Sequence, residues 1–129
     1  MARARPASPE KPLHWIGSAK KDFLEFPAPV KSEMGYALGL AQLGGKHPNA
    51  KPWTGEGPGV LEIVEDYRGD TYRAVYTVRF ADHVYVLHAF QKKSKRGIKT
   101  PQEDVRLISE RLKRARADYE SRQRDPESS

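Results

Sequence analysis

A run of cations with no acid among them is the first chemistry this sequence offers. Lys92, Lys93, Lys95, Arg96 and Lys99 fall within eight residues, and no Asp or Glu interrupts them. Such a segment gathers phosphate by long-range attraction; its plainer alternative is a solvated basic turn. Upstream, Arg73 and Arg79 alternate with Val75 and Thr77, while Arg68 stands in the loop before them. Arginine's planar fork reaches two phosphate oxygens and keeps its charge, so these positions suit a phosphate chain lying at the rim of a sheet. For Arg73 the competing role is an ion pair with Glu62 or Glu65 across a hairpin. Alternation sends Lys92 and Lys93 to opposite faces, so one of the two belongs to a site on the Arg73 side. His88 titrates near neutrality and serves as general base or acid if Arg73 or Lys92 shares its face; otherwise it is a strand histidine satisfied in the core. The histidines His14, His47, His83 and His88 are dispersed without ligand spacing, so neither a metal nor any other cofactor is expected.

These groups need elements to hold them. Tyr72 to Phe80 alternates, with Tyr72, Ala74, Tyr76, Val78 and Phe80 on a core face and Arg73, Val75, Thr77 and Arg79 on the other, the period of a half-buried strand. His83 to Phe90 is apolar on both faces and reads as a central strand. Thr100-Pro101-Gln102-Glu103 reads as a capping box with proline at the first helical position, and opens a helix with Val105, Ile108, Leu112 and Ala115 inward and Arg106, Glu110, Lys113 and Arg114 outward. Before them come a strand at Leu13 to Ile16, a helix from Ser18 carrying Phe23 and Leu24 inward, and a second helix from Pro29 to Leu43 with Val30, Met34, Ala37, Leu38 and Ala41 inward. In that helix Gly35 and Gly39 mark close packing against a neighbour. Lys46 to Gly59 reads as loop with Trp53 tucked over a sheet edge, Val60 to Glu65 as a strand, and Tyr67 to Thr71 as a hairpin loop. Tyr72 and Tyr76 belong to the core, whereas Tyr67 can meet a base.

A chain of 129 residues is one domain. The reading divides it into a basic arm at 1–11, a folded domain at 12–120 and a polar tail at 121–129. The fold class is α+β: a small antiparallel-dominated sheet, two N-terminal helices and one C-terminal helix, in the order β-α-α-β-β-β-α. Lys plus Arg number 23 against 17 Asp plus Glu, a net charge of +6, which favours a polyanion or an acidic protein as partner. With no cysteine, disulfides, thiolate metal sites and a Cys nucleophile are excluded. No apolar run reaches membrane-spanning length, so no membrane contact is expected and the location is cytoplasmic.

Tyr72-Arg73-Ala74-Val75-Tyr76, Phe90-Gln91-Lys92-Lys93 and Thr100-Pro101-Gln102-Glu103, in that order and spacing, resemble the RelE/HigB superfamily of bacterial toxins, in particular its phage-related branch. The resemblance runs from about Pro12 to about Leu112 and implies the same element order. It also implies the toxin of a type II toxin–antitoxin system, a metal-independent messenger RNA endoribonuclease that inhibits translation at the ribosome. In such a protein Arg73 matches the arginine used against the scissile phosphate. Lys92 and Lys93 hold the family's basic positions, and Arg68, Arg79, Lys95, Arg96 and Lys99 contact RNA. A cognate antitoxin of helix-turn-helix type is the implied partner, with operator DNA reached only through it. The chain departs from well-understood members in lacking a tyrosine shortly after the basic segment, and in carrying Leu61-Glu62-Ile63 where they have lysines. Two other readings stay open: a non-catalytic inhibitor of a protein such as DNA gyrase, and a silent RNA-binding module of the same fold.

Overall fold

In a computed structural model that describes residues 10–92 and 101–124, the chain forms β1 (Leu13–Trp15), α1 (Ala19–Leu24), α2 (Ala28–Gln42), β2 (Ala50–Pro52), β3 (Val60–Tyr67), β4 (Asp70–Thr77), β5 (Val84–Lys92) and α3 (Gln102–Arg124). One sheet has the order β1-β5-β4-β3-β2, antiparallel except for the parallel β1–β5 pair. The α+β class and the sequence of elements agree with the reading above, apart from β2. That strand lies inside the stretch read as loop and pairs Ala50 to Pro52 with Ile63 to Leu61. Pro52 is tolerated because an edge strand has one side that needs no N–H donor. Trp53 follows it into a buried position, and its backbone N–H donates to Val60 O.

Helices on both faces of the sheet create two cores. Phe23, Val30, Met34 and Ala37 of α1 and α2 pack on Ile63, Tyr72, Ala74 and Tyr76. Ile108, Leu112 and Ala115 of α3 pack on Val60, Val75, Tyr85 and Leu87 of the opposite face. Strand alternation along Tyr72 to Thr77 therefore sorts residues between two interiors rather than between core and solvent. Phe80 joins the α3 core instead of the Tyr72 face, because β4 ends at Thr77 and strand parity ends with it.

Local chemistry explains most boundaries. Pro27 and Pro29 stop α1 and start α2, with Pro29 in the first turn, where missing N–H groups cost nothing. The end of α2 is a Schellman motif: Gly44, at φ +88°, donates to Ala41 O, and Gly45 donates to Leu40 O. Arg68 and Gly69 both take positive φ, 53° and 87°, the signature of a two-residue type I′ hairpin. At α3 the Pro101 carbonyl accepts from Asp104 N and Val105 N, so the helix opens one residue after the expected position; Thr100 of the expected capping box lies outside the described residues. The helix then continues through Ser121 to Arg124, residues that the sequence reading assigned to the polar tail. Leu24, expected inward, is exposed; Ala19 and Phe23, four apart, take the inward face of α1, and Phe26 just beyond its end is buried as well. Among the described residues no helix is long and apolar enough to cross a membrane.

Two kinds of glycine separate cleanly. Gly35 and Gly39 were expected to mark a tight helix contact, yet a methyl group at either would meet nothing within 4 Å. Gly17 is the opposite case, with φ +61° and a position where a Cβ would stand 2.9 Å from the Arg111 guanidinium. Gly35→Ala should therefore raise stability in urea melts by about 0.5–1 kcal/mol, the usual cost of glycine inside a helix. Gly17→Ala should lower it by at least about 1–2 kcal/mol, the cost of a left-handed Cβ before any clash is counted. A destabilising Gly35→Ala would refute the open-face reading.

Candidate active site

A β-bulge decides which residues meet on the α3 face. Val75 pairs with His88 and Tyr76 with Val86, which leaves Leu87 as the extra residue of β5. Val84 and Val86 point to the α1/α2 core, so unbroken alternation would send His88 and Phe90 there too. The extra residue reverses the parity after it: Leu87 keeps to the α3 core with Tyr85, His88 follows on the same side and bonds to α3, and Phe90 pairs with Arg73. Arg73, His88 and Phe90 thereby share a face.

On that face Arg73 Nη1 donates to Glu62 Oε1 at 2.5 Å, with side chains 16% and 11% exposed. Glu62 belongs to β3, diagonal to Arg73 across the hairpin. This is the alternative the sequence reading weighed for Arg73, so the arginine is already paired and largely buried instead of standing open to solvent. Its Nε–H has no acceptor among the described residues. His88 Nε2 lies 2.7 Å from Asp104 Oδ1 in the first turn of α3, and the ring stacks on Phe90 at 4.6 Å. Burial holds the imidazole below its ordinary value near 6.5, against the opposing pull of Asp104. The neutral ring is then an Nε2–H donor to the carboxylate. Its Nδ1 faces Arg111 Nη1 at 3.5 Å, so both ring nitrogens are engaged.

The other expected cations scatter. Lys92 is the last residue of β5 and its backbone pairs with Thr71, at the same end of the sheet as the Arg68–Gly69 turn. Arg68 lies over the Tyr67 ring at 5.2 Å. Lys93, Lys95, Arg96 and Lys99 lie outside the described residues. Arg79 sits at the far end of the sheet, where its Nη2 donates to Glu56 O and Pro58 O and its Nε to Pro58 O at 3.1 Å. It ties down the glycine-rich loop before β3 and is not beside Arg73. An open cleft of about 420 Å³ runs along the edge of β5 beyond the last β1 pair, Trp15–Val86, and is lined by Asp22, Glu25, Phe26, Tyr72, His88 and Phe90 among others. Of the remaining histidines, His14 and His83 hydrogen-bond to each other at 2.9 Å, and His47 bonds to Glu33 at 2.6 Å.

Three participants escaped the sequence reading: Glu62 as a member of the site, Asp104 and Arg111. For Arg111 a signal existed. Position 111 falls between Ile108 and Ala115 at the helical spacing of the buried stripe, so a charge there had to be satisfied inside. Nothing in the sequence marked the bulge.

Removing one partner from the Arg73–Glu62 pair leaves an uncompensated, mostly buried charge. Arg73→Met and Glu62→Leu should each lower stability by up to about 3 kcal/mol, the lower end of the range for breaking a buried pair, since both groups keep some water contact. The double variant Arg73→Met/Glu62→Leu should recover most of that loss in the same chemical denaturation experiment. Additive losses in the cycle would show that the pair is not coupled.

Comparison with known proteins adds a family. The family model for phage-derived Gp49-like proteins matches residues 21–113, well over half of the chain and all the elements from α2 through most of α3. Among solved structures the chain is similar to a chain of the toxin–antitoxin complex RelBE2 from Mycobacterium tuberculosis, at 17% identity and a TM-score of 0.43, covering 66% of this chain and 94% of that one. No curated protein matches. With the family match spanning α2, the three long strands and the part of α3 that carries Asp104 and Arg111, the chain belongs to the phage-derived Gp49-like family, a family of RelE/HigB-like toxins.

Proposed function

We propose that this protein is the toxin of a type II toxin–antitoxin pair and stops translation by cutting messenger RNA in the ribosome without a metal ion. A cognate antitoxin with a helix-turn-helix DNA-binding domain would neutralise it and carry it to operator DNA. The observation that carries the reading is the Arg73–Glu62 pair on the α3 face, close to the end of β5 from which the basic segment departs. Metal-free cleavage needs a base for the 2′-hydroxyl, a cation for the phosphorane and an acid for the leaving oxygen.

A phosphate entering the site competes with Glu62 for the Arg73 fork and offers an acceptor to the unsatisfied Nε–H. Parted from its cation, the Glu62 carboxylate is free to accept a proton. It takes the 2′-hydroxyl proton, the 2′-oxygen bonds to phosphorus, and the P–O5′ bond breaks. The leaving oxygen takes a proton from Lys92 or Lys93. The products are a 2′,3′-cyclic phosphate and a 5′-hydroxyl. His88, with both ring nitrogens engaged, serves to hold Asp104 and the start of α3. Lys95, Arg96, Lys99 and Arg68 gather the RNA backbone.

Pulse labelling after induction without antitoxin should show arrest of protein synthesis. Continued synthesis with failing DNA supercoiling would replace this reading with the gyrase-type inhibitor. In material shown by melting to be folded, Arg73→Ala should slow RNA cleavage about 10²–10³-fold, the loss typical of one transition-state donor. Full-rate cutting by that variant would place the scissile phosphate elsewhere.

Replacing Lys92, Lys93, Lys95 and Arg96 together should weaken RNA binding and flatten its dependence on salt. Each lost phosphate contact on a single strand removes about 0.7 from the slope of log K against log salt. An unchanged slope would reduce the segment to a solvated turn.

A further inference from the structure

Arg111 is 7% exposed in the middle of α3, and no carboxylate pairs with it among the described residues. A buried cation without a direct counter-charge is costly, so its partners deserve an account. Nη1 donates to Leu87 O at 3.0 Å, the carbonyl of the bulge residue, and Nη2 donates to Ser18 Oγ at 3.1 Å. Ser18 in turn donates to Asp22 Oδ2 at 2.8 Å, which brings a carboxylate one hydroxyl away. Ser18 stands at the N-cap of α1 but its hydroxyl makes no capping bond, and makes this relay instead. Gly17 leaves the volume that the guanidinium fills. The third contact is Nη1 against His88 Nδ1 at 3.5 Å.

We propose that Arg111 is a positioning residue for the α3 face: its guanidinium closes the Nδ1 side of His88 to a proton and so keeps the ring a neutral Nε2–H donor to Asp104. The charged groups on the side of His88 among the described residues are Asp104 and Arg111 from α3, Asp22 from α1 and the mutually paired Arg73 and Glu62 of β4 and β3, while Phe90 of its own strand stacks on the ring. Asp104 and Asp22 favour an imidazolium; Arg111 is the group that opposes them beyond burial itself. The bulge carbonyl and the ring next to it are thus held by one side chain, which links strand parity to the protonation of His88. The link to cleavage rests on the ribonuclease reading; the state of the ring does not.

The sign is fixed by linkage. Burial and Arg111 hold His88 below its ordinary value in the folded protein, so its contribution is fully present above about pH 6.5 and is lost as pH falls below that value. In the full-length protein labelled with ¹⁵N, imidazole spectra at pH 7 should show His88 bare at Nδ1 and protonated at Nε2. The ring should titrate below 6.5. Arg111→Met should move the midpoint upward, and Arg111→Lys, which keeps the charge, should leave it near the wild-type position. A wild-type ring protonated at Nδ1, or a midpoint unmoved in folded Arg111→Met, overturns the proposal; if Arg111→Met does not fold, the wild-type tautomer and the lysine variant decide it. Cleavage supplies a separate arm. With Arg111→Met the acid limb of the RNA-cutting profile should rise with the His88 midpoint, whereas absence of metal-free cutting by the wild type would sink the ribonuclease reading and leave the ring result standing.

Discussion

A single extra residue in β5 sets the chemistry of the whole α3 face. Without the bulge at Leu87, unbroken alternation would point His88 and Phe90 into the α1/α2 core. With it, they flank Arg73, and the helix that follows brings Asp104 to the imidazole. A bulge interrupts the ladder and leaves a carbonyl to satisfy; here Arg111 takes that carbonyl from across the interface. The buried guanidinium and the bulge therefore explain each other, and Gly17 explains how the guanidinium fits.

Much of this architecture was legible in the sequence because it follows from local rules. Alternation placed β4, proline and glycine set the ends of α2, and the inward stripe of α3 was read at Ile108, Leu112 and Ala115. Order and spacing of Arg73, Phe90 and Pro101 gave the family. What remained hidden depends on register. A slip of one residue leaves composition and hydrophobicity of β5 untouched, because that strand is apolar on both faces, and two-sided hydrophobicity erases the very pattern that would reveal a change of parity. For the same reason β2 was missed: three residues at an edge, one of them proline, carry no periodic signal.

The candidate site was legible by residue type and less so by environment. Arg73 was placed on the face opposite the Tyr72 core, which is where it lies, but that face is itself an interior covered by α3. An arginine there must have a counter-ion, and Glu62 was the carboxylate within reach across the hairpin. Arg79 had the same strand parity as Arg73, yet parity ceased at Thr77 and the guanidinium went to carbonyls of the preceding loop. Periodic arguments hold only as far as the hydrogen-bonded ladder does.

A net charge of +6 suggests a chain that offers bare cations to RNA, and near Arg73 and His88 it does the reverse. Glu62 neutralises Arg73, Asp104 holds His88, and Asp22 reaches Arg111 through Ser18. Arg73, His88 and Arg111 each have a carboxylate at hand before any ligand arrives, direct for the first two and relayed by Ser18 for the third, which lowers the cost of burying them. Under the ribonuclease reading this matching has a functional consequence. Phosphate binding becomes an exchange of anions at Arg73, favourable only when the incoming group satisfies the guanidinium better than one carboxylate oxygen does. A phosphodiester held in place by several outer cations meets that condition through its local concentration, whereas a single small anion in solution does not. Selectivity for a polymer then follows from the ion pair that the sequence alone made look like a competitor of function.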